Sequence, residues 1–529
     1  MVLSPWNNPI PYTRAWCIFE AYCNVKTGSR FEIAMSAHDR AQFIKDTIQN
    51  PEGTITNMLG AINAENSVAS NPEDRDRIHE VIRKEVGFSI VNTLIFEQLR
   101  GWVIETALEE LEKNKDKKRH PMLLRMLGSL YFGQGKYELS QPLLEEALEK
   151  LTEIRGAHHE DTLVCMNDYA GLLTMQGKYA AAEKLYVDCL EKRRKNLGPN
   201  HVDILTSIGN LALLYNKQGK YEHAEPLYIE CLNKSKETLG PNHPDTLVCI
   251  NNLTGLYKNQ GKYEEAEPLY KECLNKRIAV LGADHPDTLI SVNNLASLFR
   301  NQGKYVEAKN LLISCLEKLT TTVGHDHPNT LAILTNLAGL YKIQGFHRAA
   351  ETIYLECLQK RIRTLGSDHP ETLDSMNGLA ITYKKQGRYK DAERYFVQCL
   401  EKRRANIGSS HPDTLVSINN LALLYKKQGR YDDAKELYLE CNEKLIETVG
   451  PSHPETITCT NNLALLYKKQ GNYDAAEKLF RDCLRRQQDI FGNSHPRSKR
   501  ILNNLNVMTF KKRSSFLDDN DDSPSAKDP

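Results

Sequence analysis

The sequence predicts an all-α solenoid of nine 42-residue helix pairs, preceded by a small mixed α/β N-terminal domain. Three observations lead there. Glycine recurs at 135, 177, 219, 261, 303, 345, 387, 429 and 471, always 42 residues apart, which is the signature of a repeat architecture. A cysteine column, from Cys189 through Cys231 and Cys273 to Cys483, keeps the same period, and Cys165, Cys249 and Cys459 share a second phase of it. Within one period the apolar residues Ile208, Leu211, Ala212 and Tyr215 fall inside about 100° of arc at ~100° per residue, the stripe of an amphipathic helix.

Composition bounds the rest. The 529 residues are 40% hydrophobic and 26% charged, with a net charge of +1, a balance that supports a packed core rather than a wholly disordered chain. The near-neutral charge supplies no field for nucleic acid or an anionic membrane. No run approaches the ~18 apolar residues of a spanning helix, and the first residues lack a signal-type pattern, so no membrane insertion and a cytoplasmic location are expected. Thirteen cysteines, an odd number in a chain without a secretion signal, point to reduced thiols.

Residues 1–117 show none of the period and contain Trp6, Trp16 and Trp102, so they form a domain of their own. Met1-Val2-Leu3 suits the end of a buried strand and Phe31 to Met35 alternates like another, while Ile78 to Leu111 is helical with interruptions at Gly87 and Gly101. Ser4-Pro5-Trp6, followed by Trp16-Cys17-Ile18-Phe19-Glu20, resembles the Ser…Trp-Cys-x-x-Glu segment of TIR domains. That resemblance implies that Glu20 is the catalytic residue if the domain cleaves NAD, and that the chain begins inside the domain.

The repeats occupy 118–496. In Asp203 to Asn242, the first helix ends at Gln218-Gly219-Lys220-Tyr221, where glycine permits a tight turn. The second carries Ala224, Tyr228, Cys231 and Leu239 at helical steps, and Leu239-Gly240-Pro241 closes it. Asp245, after His243-Pro244, is placed to cap the next helix. Neither helix can bury its stripe within one unit, so units must stack. Ala212, Tyr215, Ala224, Tyr228 and Cys231 resemble the pattern of the tetratricopeptide repeat, and the phrases Asn-Asn-Leu-Ala, Gln-Gly-Lys-Tyr and Leu-Gly-x-x-His-Pro are similar to the repeats of kinesin light chains. The resemblance implies a right-handed solenoid whose concave face is lined by the first helix of each pair.

Arg497 to Lys511 reads as a polar-backed capping helix, with Leu502 and Leu505 keeping the stripe. Residues 512–529, rich in aspartate and with two prolines, read as a disordered acidic tail. Lys511-Lys512-Arg513 before Ser514 and Ser515 fits a basophilic kinase site.

No phosphate-binding loop and no nucleophile-base grouping stands clear of the repeat pattern, so the chain is expected not to be an enzyme and to need no cofactor. Histidine recurs once per unit near a turn, where neighbouring copies would not converge on a metal ion. The polar face of the first helix is the organised feature. One column holds Asn210, Asn252, Asn294, Asn336, Asn420 and Asn462, and another Lys258, Arg300, Lys342, Lys384, Lys426 and Lys468. Asparagine both donates to and accepts from a peptide backbone, and a cationic row attracts carboxylates. Together they predict a groove for acidic peptide segments of other proteins. The same face also fits a solvated surface with asparagines bridging neighbouring helices. Asp168 and Gly378 depart from the asparagine column, and Gly378 suggests a break between two sub-sites. The tail residues Phe516, Leu517, Asp518 and Asp519 are a candidate internal ligand for the groove. Rival readings are a TIR-like NAD hydrolase governed by a repeat sensor and a cargo-binding motor light chain.

Overall fold

The structure, a computed structural model, describes residues 15–27, 35–50, 67, 69, 71–85, 88–114, 119–198, 201–283, 285–322, 325, 327–493 and 496–520. Among the described residues every regular element is a helix. Four precede the repeats: α1 (Ala15–Thr27), α2 (Ala37–Gln49), α3 (Pro72–Glu85) and α4 (Phe88–Lys113). The first three units are α5 (His120–Gly133) with α6 (Tyr137–Arg155), α7 (Glu160–Met175) with α8 (Tyr179–Asn196), and α9 (Val202–Lys217) with α10 (Tyr221–Thr238). The middle units are α11 (Pro244–Gln260) with α12 (Tyr263–Leu281), α13 (Pro286–Gln302) with α14 (Tyr305–Thr322), and α15 (Pro328–Ile343) with α16 (His347–Leu365). The last are α17 (Pro370–Lys385) with α18 (Tyr389–Ile407), α19 (Pro412–Gln428) with α20 (Tyr431–Thr448), and α21 (Pro454–Lys469) with α22 (Tyr473–Phe491). Helix α23 (Pro496–Asn520) follows.

Local chemistry sets the boundaries. Helix α11 starts at Pro244 with His243 as its capping residue, whose Nδ1 accepts the Asp245 N–H at 3.2 Å. Asp245 itself lies in the first turn, where a carboxylate complements the helix dipole but does not cap. The same histidine cap recurs at His201, His285, His369 and His411, which accounts for one histidine per unit. Gly261 closes α11 with φ 78°, and the Lys262 N–H then donates back to the Tyr257 carbonyl at 2.9 Å. Only glycine adopts that left-handed backbone without strain.

Alanine, tyrosine and cysteine of the second helix fill the core against the first. Ala224, Tyr228 and Cys231 of α10 are buried with Ile208, Leu211 and Ala212 of α9. The column cysteines act as small core residues with a weak donor: Cys231 Sγ donates to the Leu205 carbonyl at 3.5 Å and Cys273 Sγ to Leu247 at 3.3 Å.

The N-terminal region differs from its expectation. The two predicted strands, at Met1–Leu3 and around Phe31–Ala34, lie outside the described residues, and what is described there is helical, so a mixed α/β domain has no support. Gly101 does not interrupt α4, which passes through it with open space around its Cα. Glu20 is exposed on α1. The core of this region continues into the first unit: Ile18, Phe43, Ile82, Ile95 and Val103 pack in one cluster with Leu123, Met126 and Leu127 of α5.

At the other end, Ile501, Leu505 and Met508 cap the last unit by packing on Ala464, Phe480 and Cys483. Helix α23 then runs on to Asn520, so Phe516, Leu517, Asp518 and Asp519 belong to a helix rather than to an unstructured tether. A helix already nucleated by packing needs only propagation, and the first proline, Pro524, comes after this segment.

The solenoid coils far enough for its turns to meet. Gly135, Gly177 and Gly219, in the turns inside the first three units, lie against Pro370, Pro412 and Pro454 at the starts of α17, α19 and α21. A Cβ on Gly177 or Gly219 would come within 2.6 or 2.9 Å of the proline ring. His453 Nε2 donates to the Lys217 carbonyl at 2.9 Å across 236 residues, and His411 donates likewise to Met175. Tyr221 meets Phe491 edge-on at 5.7 Å, and Val449 and Ile490 pack into the same cluster. This seam places one turn of the coil directly upon the other.

Candidate functional site

The polar columns lie on the first helix of each unit, and the histidine cap and glycine turn hold these helices in a common register. That register is visible in the asparagines. Asn210, Asn294, Asn336, Asn420 and Asn462 donate from Nδ2 to Oδ1 of Asn167, Asn251, Asn293, Asn377 and Asn419, at 3.0, 2.9, 2.9, 3.2 and 3.0 Å. Each bond joins one unit to the next across 43 residues. The asparagine column is therefore a ladder between units, and one of the two N–H donors of each amide is already engaged. Asn252 is the exception, because Gly209 stands where its acceptor would be.

Both departures from the column have physical causes. Asp168 accepts from Arg125 Nη1 at 2.8 Å, while Arg125 Nη2 donates to the Ile48 carbonyl at 2.6 Å. The ladder position is thus converted into an ion pair that fastens the first units to α2. At Gly378 a Cβ would overlap the Tyr354 ring, so the ring itself excludes an asparagine, and the ladder has a gap there.

The cationic column is half-buried. Lys342 Nζ sits 5.4 Å from the Tyr354 ring centroid, Lys384 5.5 Å from Phe396 and Lys426 5.9 Å from Tyr438. Each ring comes from the second helix of the same unit, a cation–π arrangement that supports the ammonium from one side. Burial and, after it, neighbouring cations together lower the pKa of all three lysines to about 8, the cations being Arg300 and Lys385 at Lys342, Lys385, Lys342, Lys426 and Lys427 at Lys384, and Lys427 and Lys469 at Lys426. Lys258 is lowered by burial and by Arg300. Arg300 donates to Ser297 Oγ at 3.3 Å and, with Ser297, Leu312 and Asn336, lines a small depression.

Lys385, Lys427 and Lys469 extend the row on its exposed side. Sequence reasoning passed over them, although the signal was present as Lys-Lys doublets before the last three Gln-Gly turns. Other lysines are neutralised in place: Lys402 donates to Asp368 at 2.5 Å and Lys444 to Glu440 at 2.7 Å. Among the described residues no group of three or more potential ligands could hold a metal ion, and no helix is long and apolar enough to cross a membrane.

Against known families, the tetratricopeptide repeat profile matches nine overlapping stretches from residues 120–195 to 455–505. The chain belongs to the tetratricopeptide repeat family. No curated protein matches it. Among solved structures it is similar to nearly identical TPR-like repeats of kinesin light chain type from Podosopora anserina, at 28% identity over 39% of this chain and 98% of that one, with a TM-score of 0.33. It is also similar to BtubC (BKLC) from P. vanneervenii, at 20% identity over 44% and 94% of the two chains, with a TM-score of 0.37. Nothing in these comparisons supports a TIR-like piece.

Proposed function

We propose that this tetratricopeptide repeat protein is a non-enzymatic scaffold that holds acidic peptide segments of other proteins along its cationic column. Repeats of this family generally bind peptide segments, and the chemistry of the face narrows the class. The observation that carries the reading is the crowding of Lys342, Lys384 and Lys426, each depressed to about 8 by burial and by like charges. Carboxylates laid along the row would relieve that repulsion at every unit. The remaining N–H and carbonyl of each ladder asparagine would pair with the backbone of the segment.

The test is titration of a fluorescent acidic peptide against the full chain and against Lys384→Ala/Lys426→Ala/Lys468→Ala. The triple variant is expected to bind at least ~10-fold more weakly and with a flatter salt dependence. Lys402→Ala/Lys444→Ala, which removes lysines that already have acidic partners, should leave binding unchanged. Equal losses in the two variants would overturn the reading. NAD incubated with the chain should remain intact, in keeping with an exposed Glu20.

A further inference from the structure

At several junctions the column cysteine of one unit faces the residue 18 positions further on, in the next unit. That residue is serine at Ser207, Ser291 and Ser417, 3.8 to 3.9 Å from Cys189, Cys273 and Cys399. At those junctions a buried arginine also donates to the serine, Arg193 at 2.9 Å, Arg277 at 3.0 Å and Arg403 at 2.8 Å. The junction between the third and fourth units breaks the rule twice. Cys249 replaces the serine and Ser235 replaces the arginine. Cys231 and Cys249 then lie with their sulfurs 3.0 Å apart, both buried, and Ser235 Oγ is 3.4 Å from Cys249. This is also the junction where Gly209 leaves Asn252 without its ladder partner. It has lost both the arginine–serine bond and the asparagine bridge found elsewhere.

We propose that Cys231 and Cys249 are a redox modification site, a dithiol that a small hydroperoxide closes into an intrachain disulfide between the third and fourth units. Cys249 is the first nucleophile, because its sulfur lies 3.0 Å from Cys231 Sγ and 3.4 Å from the Ser235 hydroxyl, and hydrogen bonding from these neighbours favours its thiolate. Its thiolate attacks one oxygen of the hydroperoxide, forming a sulfenic acid as the O–O bond breaks and the departing alkoxide takes up a proton to leave as the alcohol, or as water from hydrogen peroxide. The Cys231 sulfur then attacks the sulfenic sulfur. The S–S bond forms, the S–O bond breaks, and hydroxide leaves with the proton of Cys231 as water. Two thiols lose two electrons in all, and the hydroperoxide gains them. Bond formation draws the sulfurs together by about 1 Å, to the ~2.05 Å of a disulfide. Units of a solenoid contact mainly their neighbours, so local opening at one junction admits a small oxidant without unfolding the array. At the eighth junction Cys441 and Cys459 occupy the same two columns, but Leu445 stands in place of Ser235 and Cys459 is directed to the Tyr438 carbonyl at 3.7 Å. That pair lacks the supporting hydroxyl.

The experiment treats the folded full chain with hydrogen peroxide, blocks remaining thiols with N-ethylmaleimide and maps tryptic peptides, since Lys234 and Lys236 separate the two cysteines. A linked peptide joining Cys231 to Cys249 is expected, with a loss of about 2 Da. Hydrogen exchange across the α10–α11 connection should slow about tenfold and recover on reduction with dithiothreitol. Cys249→Ser, the residue that other junctions carry, should fold and lose both effects. Oxidation that stops at sulfinic acids on Cys17 and Cys23 with no linked peptide, or linkage that forms only in denaturant, would overturn the proposal.

Discussion

Gly378 shows how one residue position can be decided by a neighbour rather than by its column. The Tyr354 ring fills the space of its missing Cβ and also supports the Lys342 ammonium at 5.4 Å. Gly378→Asn would restore the commonest residue of the column, yet it should destabilise the chain by about 1–3 kcal/mol through overpacking. Urea denaturation measures this, and a stabilised variant would show that the ring can move aside. The lysines carry a second expectation. A pKa lowered to about 8 from an ordinary 10.5 means that the unfolded chain holds the proton more tightly between those values, so the Lys384 contribution improves as pH rises through that window. Lys384→Met should therefore raise stability at neutral pH by on the order of 1 kcal/mol, discounted for partial exposure, while weakening acidic-peptide binding. Thermal melts and titrations on the same variant would check both halves, and a loss of stability would contradict the desolvation account.

Neighbouring units are also joined by a clamp from the second helix of one to the turn of the next. Glu183 accepts from Gln218 at 3.2 Å and Lys220 at 2.9 Å, and Glu351 accepts from Gln386 at 2.8 Å and Arg388 at 2.7 Å. Two junctions abandon it together. Lys309 replaces the glutamate where Phe346 replaces the cation, and Lys435 does so where Asn472 replaces it. Lys309 lies over Tyr341 at 5.6 Å instead, and Phe346 meets the same ring at 6.1 Å. The double variant Lys309→Glu/Phe346→Lys should rebuild the clamp, with a favourable coupling of about 0.5–1 kcal/mol in a double-mutant cycle. Strict additivity would deny the pairing. These interactions mark what the sequence could disclose. The 42-residue period, the core cysteines and the glycine turns were legible because each repeats within a single unit. The asparagine ladder and the clamp join residues 43 and 37 apart, so a helical wheel drawn for one unit leaves both partners on a polar face. Their trace was paired substitution along the chain, as at Arg125 with Asp168 and Lys309 with Phe346. The histidine cap was missed because Asp245 is the more familiar capping residue, while histidine caps the helix whether proline follows it, as at His243, or not, as at His201.

At the scale of the whole molecule, the two turns of the coil meet at a seam that two capping histidines bridge. His411 and His453 accept the backbone N–H of Asp413 and Glu455 at Nδ1 and donate across the seam from Nε2. Only the neutral imidazole can do both at once. Burial lowers the pKa of both histidines; around His411 the carboxylate of Asp413 opposes that shift, while Arg403 and Lys217 reinforce it. With folded values below the ordinary ~6.5, their contribution is complete above that pH and is lost as pH falls through the folded values. Protonation would place a hydrogen on Nδ1 against the capping N–H and loosen the starts of α19 and α21, which carry Pro412 and Pro454 onto Gly177 and Gly219. Small-angle scattering should therefore show the radius of gyration rising between pH ~7.5 and ~5 while helical circular dichroism changes little. His411→Asn/His453→Asn keeps an oxygen able to cap each helix but removes the ring that spans the seam. It is expected to be as expanded at neutral pH as the unmodified chain is in acid, and to respond little to further acidification. A radius of gyration independent of pH in the unmodified chain would show that the Gly–Pro contacts and the Tyr221–Phe491 pair hold the turns together without the histidines.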